Sequence, residues 1–151
     1  MSILKKIISG GQTGADTGGL IAGKLLGLET GGTAPPEYMT EIGQRKDYLI
    51  FFGLKEGEAD PRIYPKRTKL NIQDSDGTVI FGNINELGTR LTINLCNRLG
   101  KFALVNPTKH AELVYFLTIN KIEILNVAGN TEKNSPGIQT KVADFLFEAL
   151  F

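Results

Sequence analysis

Glycine crowds the segment ISGGQTGADTGG, residues 8 to 19, where an apolar run gives way to a helical pattern. Inside a helix each glycine costs about 1 kcal/mol against alanine, so Gly10, Gly11, Gly14, Gly18 and Gly19 need an offsetting reason. Two readings are open: tight turns with close helix packing, or a ligand that approaches the backbone. The segment has neither the G-x-G-x-x-G spacing of a dinucleotide site nor the G-K-[ST] ending of a P-loop. Gln12 and Thr13 add polar side chains inside it, and ELGTRLT (Gly88, Thr89, Arg90) and NSPGI (Ser135, Gly137) repeat its character at two later helix starts. The free N–H groups and partial positive charge of a helix N-terminus suit phosphate or another oxyanion. Small and amide residues also close the strand-like runs, at Gly32 and Thr33, at Gly82 and Asn83, and at Gly129 and Asn130.

A second dense cluster is YPKRTKLNIQDSDGTVIFG. Arg67 suits a bidentate phosphate clamp or a surface ion pair. Asp74, Ser75 and Asp76 either form a turn capped by its own Asx bonds or present a carboxylate that accepts paired hydrogen bonds from a heterocycle edge. Other chemistry is scarce. Cys96 sits mid-helix as a small core residue, and His110 falls at an exposed helix start. No Cys/His metal spacing, no HExxH and no GxSxG elbow occurs. With no nucleophile beside a base, a binding protein is favoured over a hydrolase.

The elements that must position these residues are strand and helix in alternation. Five runs predict strands: Lys6 to Ser9, Leu28 to Thr33, Thr78 to Gly82, Lys101 to Asn106 and Ile122 to Gly129. The stronger ones are apolar throughout, as in strands buried on both faces. Helices are predicted over Thr13 to Leu26, with Thr13 and Asp16 as a capping box, and from Thr89 to Leu99, His110 to Ile119 and Ile138 onward. In the third of these, Ala111, Val114, Tyr115 and Thr118 form the expected buried side. Residues 34 to 77 carry Pro61, Pro65 and many charges; Tyr48 to Phe52 reads as a strand by propensity or as a short helix ending at Gly53 by its flanks, the helix being favoured, and the rest is expected to be a long loop. The alternation predicts a mainly parallel α/β sheet of about five strands, with ligands beyond the strands' carboxyl ends.

A chain of 151 residues suits a single domain spanning residues 1–151. A net charge of +1 argues against a nucleic-acid binder that works by phosphate neutralisation. One cysteine cannot form an internal disulfide, which points to a reducing, cytoplasmic setting. Residues 2 to 9 have no apolar core of signal-peptide length, and DYLIFFGL is too short to span a bilayer. Neither secretion nor membrane attachment is expected. Phe51, Phe52, Phe147 and Phe151 exceed what one small domain needs to hide, so a homo-oligomer is expected.

Three segments in matching order, IISGGQTGADTGGLIAGKLLG, YPKRTKLNIQDSDGTVIF followed by ELGTRLT, and LNVAGNTEKNSPGI, resemble the molybdenum cofactor carrier family. The resemblance implies a Rossmann-like three-layer fold, a tetramer, and a protein that binds, stores and protects molybdenum cofactor for a molybdoenzyme acceptor. The cargo would be the cofactor itself, or molybdate or a similar oxyanion. The wider group includes the cytokinin-activating phosphoribohydrolases, so a nucleotide-binding or nucleotide-processing role is the alternative. Their PGGxGTxxE signature, aligned on Gly88-Thr89, places Thr92 where the catalytic glutamate stands. A hydroxyl cannot replace that carboxylate as a general base.

Overall fold

The computed structural model describes residues 3–59 and 66–151. Pro61 and Pro65 lie outside the described residues. The chain runs β1 (Lys6–Ile8), α1 (Ala15–Leu25), β2 (Glu29–Ala34), β3 (Met39–Thr40), β4 (Gly43–Gln44), α2 (Lys46–Phe51) and β5 (Leu54–Glu56). It continues with α3 (Lys66–Gln73), β6 (Gly77–Phe81), α4 (Leu87–Leu99), β7 (Phe102–Val105), α5 (His110–Ile119), β8 (Ile124–Gly129) and α6 (Ile138–Leu150). Six strands form one parallel sheet in the order β5-β2-β1-β8-β6-β7, while β3 and β4 make a separate antiparallel hairpin.

Short apolar strands joined by helices can pair in parallel only through crossovers. The sheet centre is therefore built from the first and last strands of the chain, with Lys6 opposite Ile124 and Ile8 opposite Asn126. One face packs against α1, α5 and α6, where Ile7, Val79, Leu125 and Val127 meet Leu117, Val142 and Leu146 in the main core. The other face carries α3 and α4 over a smaller cluster of Ile72, Leu95 and Cys96. Helices on both faces of the sheet make a Rossmann-like three-layer sandwich.

Most glycines of the opening segment are explained by packing. A Cβ at Gly18 would stand 2.6 Å from the Gln139 carbonyl oxygen of α6, and one at Gly19 2.6 Å from the Val127 Cβ of β8. Both distances are below contact, so α1 seats directly on α6 and the sheet only because these positions carry no side chain.

Several expectations are corrected. The sheet has six strands, because Leu54–Glu56 adds an edge beside β2. The stretch read as a long loop contains the hairpin, β5 and the helix Lys66–Gln73, alongside the expected short helix. The α1 capping box does not form: Gly14 is the N-cap, with no side-chain cap bond, and Thr13 Oγ1 instead donates to Glu41. On α5 the expected stripe is inverted. Leu113, Phe116 and Leu117 are buried, whereas Val114 and Tyr115 face outward. Of the four aromatics expected on the surface, Phe52 is buried against Leu49 and Leu54, while Phe51 and Phe151 are exposed. Among the described residues no helix is long and apolar enough to cross a membrane.

Candidate functional site

A crevice of about 180 Å³ opens at the carboxyl ends of β1 and β8, on the α3/α4 face. In parallel sheets this edge gathers the loops and helix starts that hold ligands. Its floor is the end of β8, and Gly10, Gln12, Asp16, Arg67, Glu86, Gly88 and Thr92 stand around it.

Arg67 arrives from the first turn of α3 and lies across Gly10. A Cβ there would be 2.3 Å from Arg67 Nη1 and 3.0 Å from Asp16 Oδ2. Gly10 is thus the one glycine of the opening segment that directly admits a charged pair onto the backbone. Asp16 is buried, and its carboxylate accepts from the Gln12 N–H at 3.1 Å. Burial pushes its pKa up to about 6, against the opposing pull of Arg67 and of the Gln12 and Gly10 amides. A buried acid titrating near neutrality beside an arginine, inside a cleft, is a common mark of a functional site.

The helix starts are not vacant. At α4 the Glu86 carboxylate accepts from the Gly88 N–H at 3.0 Å, the Thr89 N–H at 3.1 Å and the Thr89 hydroxyl at 2.8 Å. At α6 the Glu132 carboxylate accepts from the Gly137 and Gln139 N–H groups. At the turn into α1, Asp16 takes the Gln12 donor. Each candidate oxyanion nest therefore holds one of the chain's own carboxylates. Any oxyanion binding at α4 must displace Glu86. Glu86→Ala is expected to lower stability by about 1 kcal/mol through loss of the cap and to tighten inorganic phosphate binding severalfold. Phosphate titration of the folded variant checks this, and unchanged affinity would remove the α4 start from the site.

The sequence candidates separate into groups. Gln12, Arg67, Gly88 and Gly129 line the crevice. Asn83, Thr89, Asn130 and Ser135 come together but satisfy one another: the buried Asn130 amide accepts from Asn83 N–H and Ser135 Oγ and donates to Asn83 O and Thr89 Oγ1. They tie three loops of the binding edge together. Gly11, Thr13 and Gly14 do not line the crevice and pack against other parts of the chain. A Cβ at Gly14 would run into the Asn130 carbonyl oxygen at 2.4 Å, and one at Gly11 into Leu54. Arg90 points outward to Asn85.

Gly32 is mid-strand rather than at a strand end, with a virtual Cβ 2.1 Å from the Ser9 carbonyl oxygen. Thr33 is bound through its backbone to the Asn71 amide, at 2.8 and 3.0 Å. The DSD segment lies at the opposite, amino end of the sheet. Asp76 accepts from the Glu123 and Ile124 N–H groups, and Ser75 donates to the Ile72 carbonyl at the end of α3. Asp74 borders a separate depression with Lys6 and Lys55. These three shape the entry to β6, because a turn that precedes a parallel strand cannot reach the strand's carboxyl end. Gly137 borders a larger cavity, about 560 Å³, on the α6 side near Phe81, Lys141 and Phe145. The smaller crevice is the better candidate, since the arginine and the perturbed acid converge in it.

Sequence reading missed Asp16 as a site residue, along with Glu86, Asn71 and Asn126. Asp16 had been absorbed into a cap; its spacing from Gly10, inside a glycine-rich turn, was the available signal. At Thr92 the hydroxyl donates to the Gly88 carbonyl at 3.1 Å, within α4.

Residues 7–150 match the model of the circularly permutated YpsA SLOG family. A crystal structure from Syntrophus aciditrophicus SB, of a protein named "putative molybdenum carrier protein", superposes with a TM-score of 0.86 at 30% identity. The match covers 99% of this chain and 96% of that one. No curated protein matches the chain.

Proposed function

The chain belongs to the circularly permutated YpsA SLOG family, and from its crevice we propose that it binds, stores and protects molybdenum cofactor for delivery to a molybdoenzyme. The observation that carries this reading is Arg67 laid across Gly10 beside the buried Asp16. The cargo is a pterin with a phosphate and an oxidisable dithiolene-bound metal. Arg67 supplies planar, paired donors for phosphate or oxo oxygens. Asp16 and Glu86 line the same crevice with their carboxylates held by backbone amides. Such a carrier needs selective donors and acceptors and no nucleophile. The Syntrophus protein's name, "putative molybdenum carrier protein", supports a cargo that contains molybdenum.

A homo-oligomer, with the tetramer as its expected size, accompanies this reading. Phe51 and Phe151, 68% and 91% exposed, are apolar surface that association would cover.

Expression with elevated molybdate in a host that makes the cofactor, followed by metal and pterin analysis of the purified protein, tests the proposal. Molybdenum and pterin in equal amounts support it; protein that stays free of both under these conditions rejects it. One observation favours a second reading. A buried acid with a pKa of about 6 in a cleft is also suited to general acid–base work, as in a nucleotide hydrolase. Release of a free base from AMP or a cytokinin ribotide would select that reading.

A further inference from the structure

Asn126 stands in the middle of β8 and is 3% exposed, at the floor of the crevice. Its Nδ2 donates to Thr78 Oγ1 on the neighbouring strand at 3.3 Å, and Thr78 is the residue paired with it in register. The Asn126 amide nitrogen thus faces Thr78 and its oxygen faces away from it. That oxygen, Oδ1, is buried and has no hydrogen-bond partner among the described residues.

A buried amide oxygen without a donor is destabilising, and an apolar residue in its place would avoid that cost. The neighbouring floor positions Val127 and Ala128 are apolar. The crevice wall offers Arg67 for an anionic end, while its acids Asp16 and Glu86 are already engaged by backbone amides. Asn126 Oδ1 is the uncommitted acceptor at the floor.

We propose that Asn126 is a specificity-determining residue whose Oδ1 receives an exocyclic amine of the bound heterocycle, selecting an amino-substituted ring over its oxo counterpart. The inference rests on the cargo reading for its ligand, the 2-amino group of a pterin. An oxo group in that place would set acceptor against acceptor at a buried site.

The test replaces the ligand amine and the residue in turn. Binding of 6-carboxypterin and of its 2-oxo counterpart, 6-carboxylumazine, is titrated against the full chain, and AMP against IMP in parallel. The parent is expected to prefer the amino member of the pterin pair about tenfold. Asn126→Leu should abolish that preference without lowering the melting temperature, and Asn126→Asp, which keeps an acceptor, should retain it. If the leucine variant does not fold, Asn126→Ala, which removes the amide altogether, must also lose the preference. A preference that survives in either acceptor-free variant overturns the inference. Pterin binding without preference overturns it and leaves the cargo reading standing. An Asn126-dependent preference confined to AMP over IMP, with no pterin bound, upholds it and removes the cargo reading. Failure of both pairs to bind overturns both.

Discussion

Between pH 3 and pH 7 the stability difference between Asp16→Asn and the parent is expected to move by about 3 kcal/mol in favour of the variant. The folded pKa of Asp16 is raised, from 3.8 to about 6. The native state therefore binds this proton more tightly than the unfolded chain. Below pH 3 both states are protonated and the neutral acid is tolerated. As pH rises through 6, the native state must hold a buried carboxylate that Arg67 and two amides only partly compensate, and stability is lost. Asparagine does not titrate, so the variant lacks that slope. Urea unfolding at several pH values across the window measures it, and a pH-independent difference would show that Asp16 is not perturbed by burial. The same proton couples to cargo. An anion seated beside Asp16 favours its neutral form, so binding of an anionic ligand takes up a proton and weakens as pH rises through 6.

Arg67→Ala is expected to weaken binding of the phosphate-bearing cofactor by about 1.5–3 kcal/mol, the range for hydrogen bonds to a charged group. That is roughly 10- to 150-fold in affinity. Arg67→Lys should recover little of it, because an ammonium keeps the charge and loses the fork. The fold should be unaffected, since Arg67 is only half-buried in the first turn of α3. Removing the guanidinium also takes away the positive charge that lowers the Asp16 pKa. The acid end of the stability profile should therefore shift to higher pH in the alanine variant. Parent-like affinity in a folded Arg67→Ala protein would relocate the anion end of the site.

The central sheet was legible because long apolar runs such as TVIFG and IEILNVAG admit few alternatives to buried parallel strands. β5 was not, because Leu54–Glu56 is three residues with two charges and owes its pairing to β2 alone. The helix Lys66–Gln73 was hidden by a polar, lysine-rich sequence; only its packing on β2 and α4 makes it stable. Arg67 was therefore recognised as a chemical group without a platform. On α5, the series Ala111, Val114, Tyr115 and Thr118 obeys helical spacing as well as the true buried set does. Periodicity fixes a stripe and cannot say which of two stripes faces inward.

The site was half-legible for a related reason. Glycine at strand ends marked the right edge, and Gly10 supports the ligand reading. Gly14, Gly18 and Gly19 turn out to serve contacts with the loop after β8, with α6 and with β8. No local pattern shows that Glu86 and Glu132 fold back over their own helix starts, because glutamate reaches those amides only when the preceding backbone is extended. Asn126 within an apolar strand reads as a tolerated exception until its neighbour Thr78 is known.

The pairing of β1 with β8 also governs when the protein can take shape during synthesis. Ile8 meets Asn126 only after more than a hundred intervening residues have been made, and contacts so distant along the chain close slowly. The crevice floor lies across this last seam, so a nascent chain still missing β8 has Gly10, Asp16 and Arg67 without the strand they face. The crevice is complete only once β8 has been made, in one step with closure of the sheet. Until then the inner edges of β1 and β6 stand unpaired, the kind of exposed template that chaperones shield.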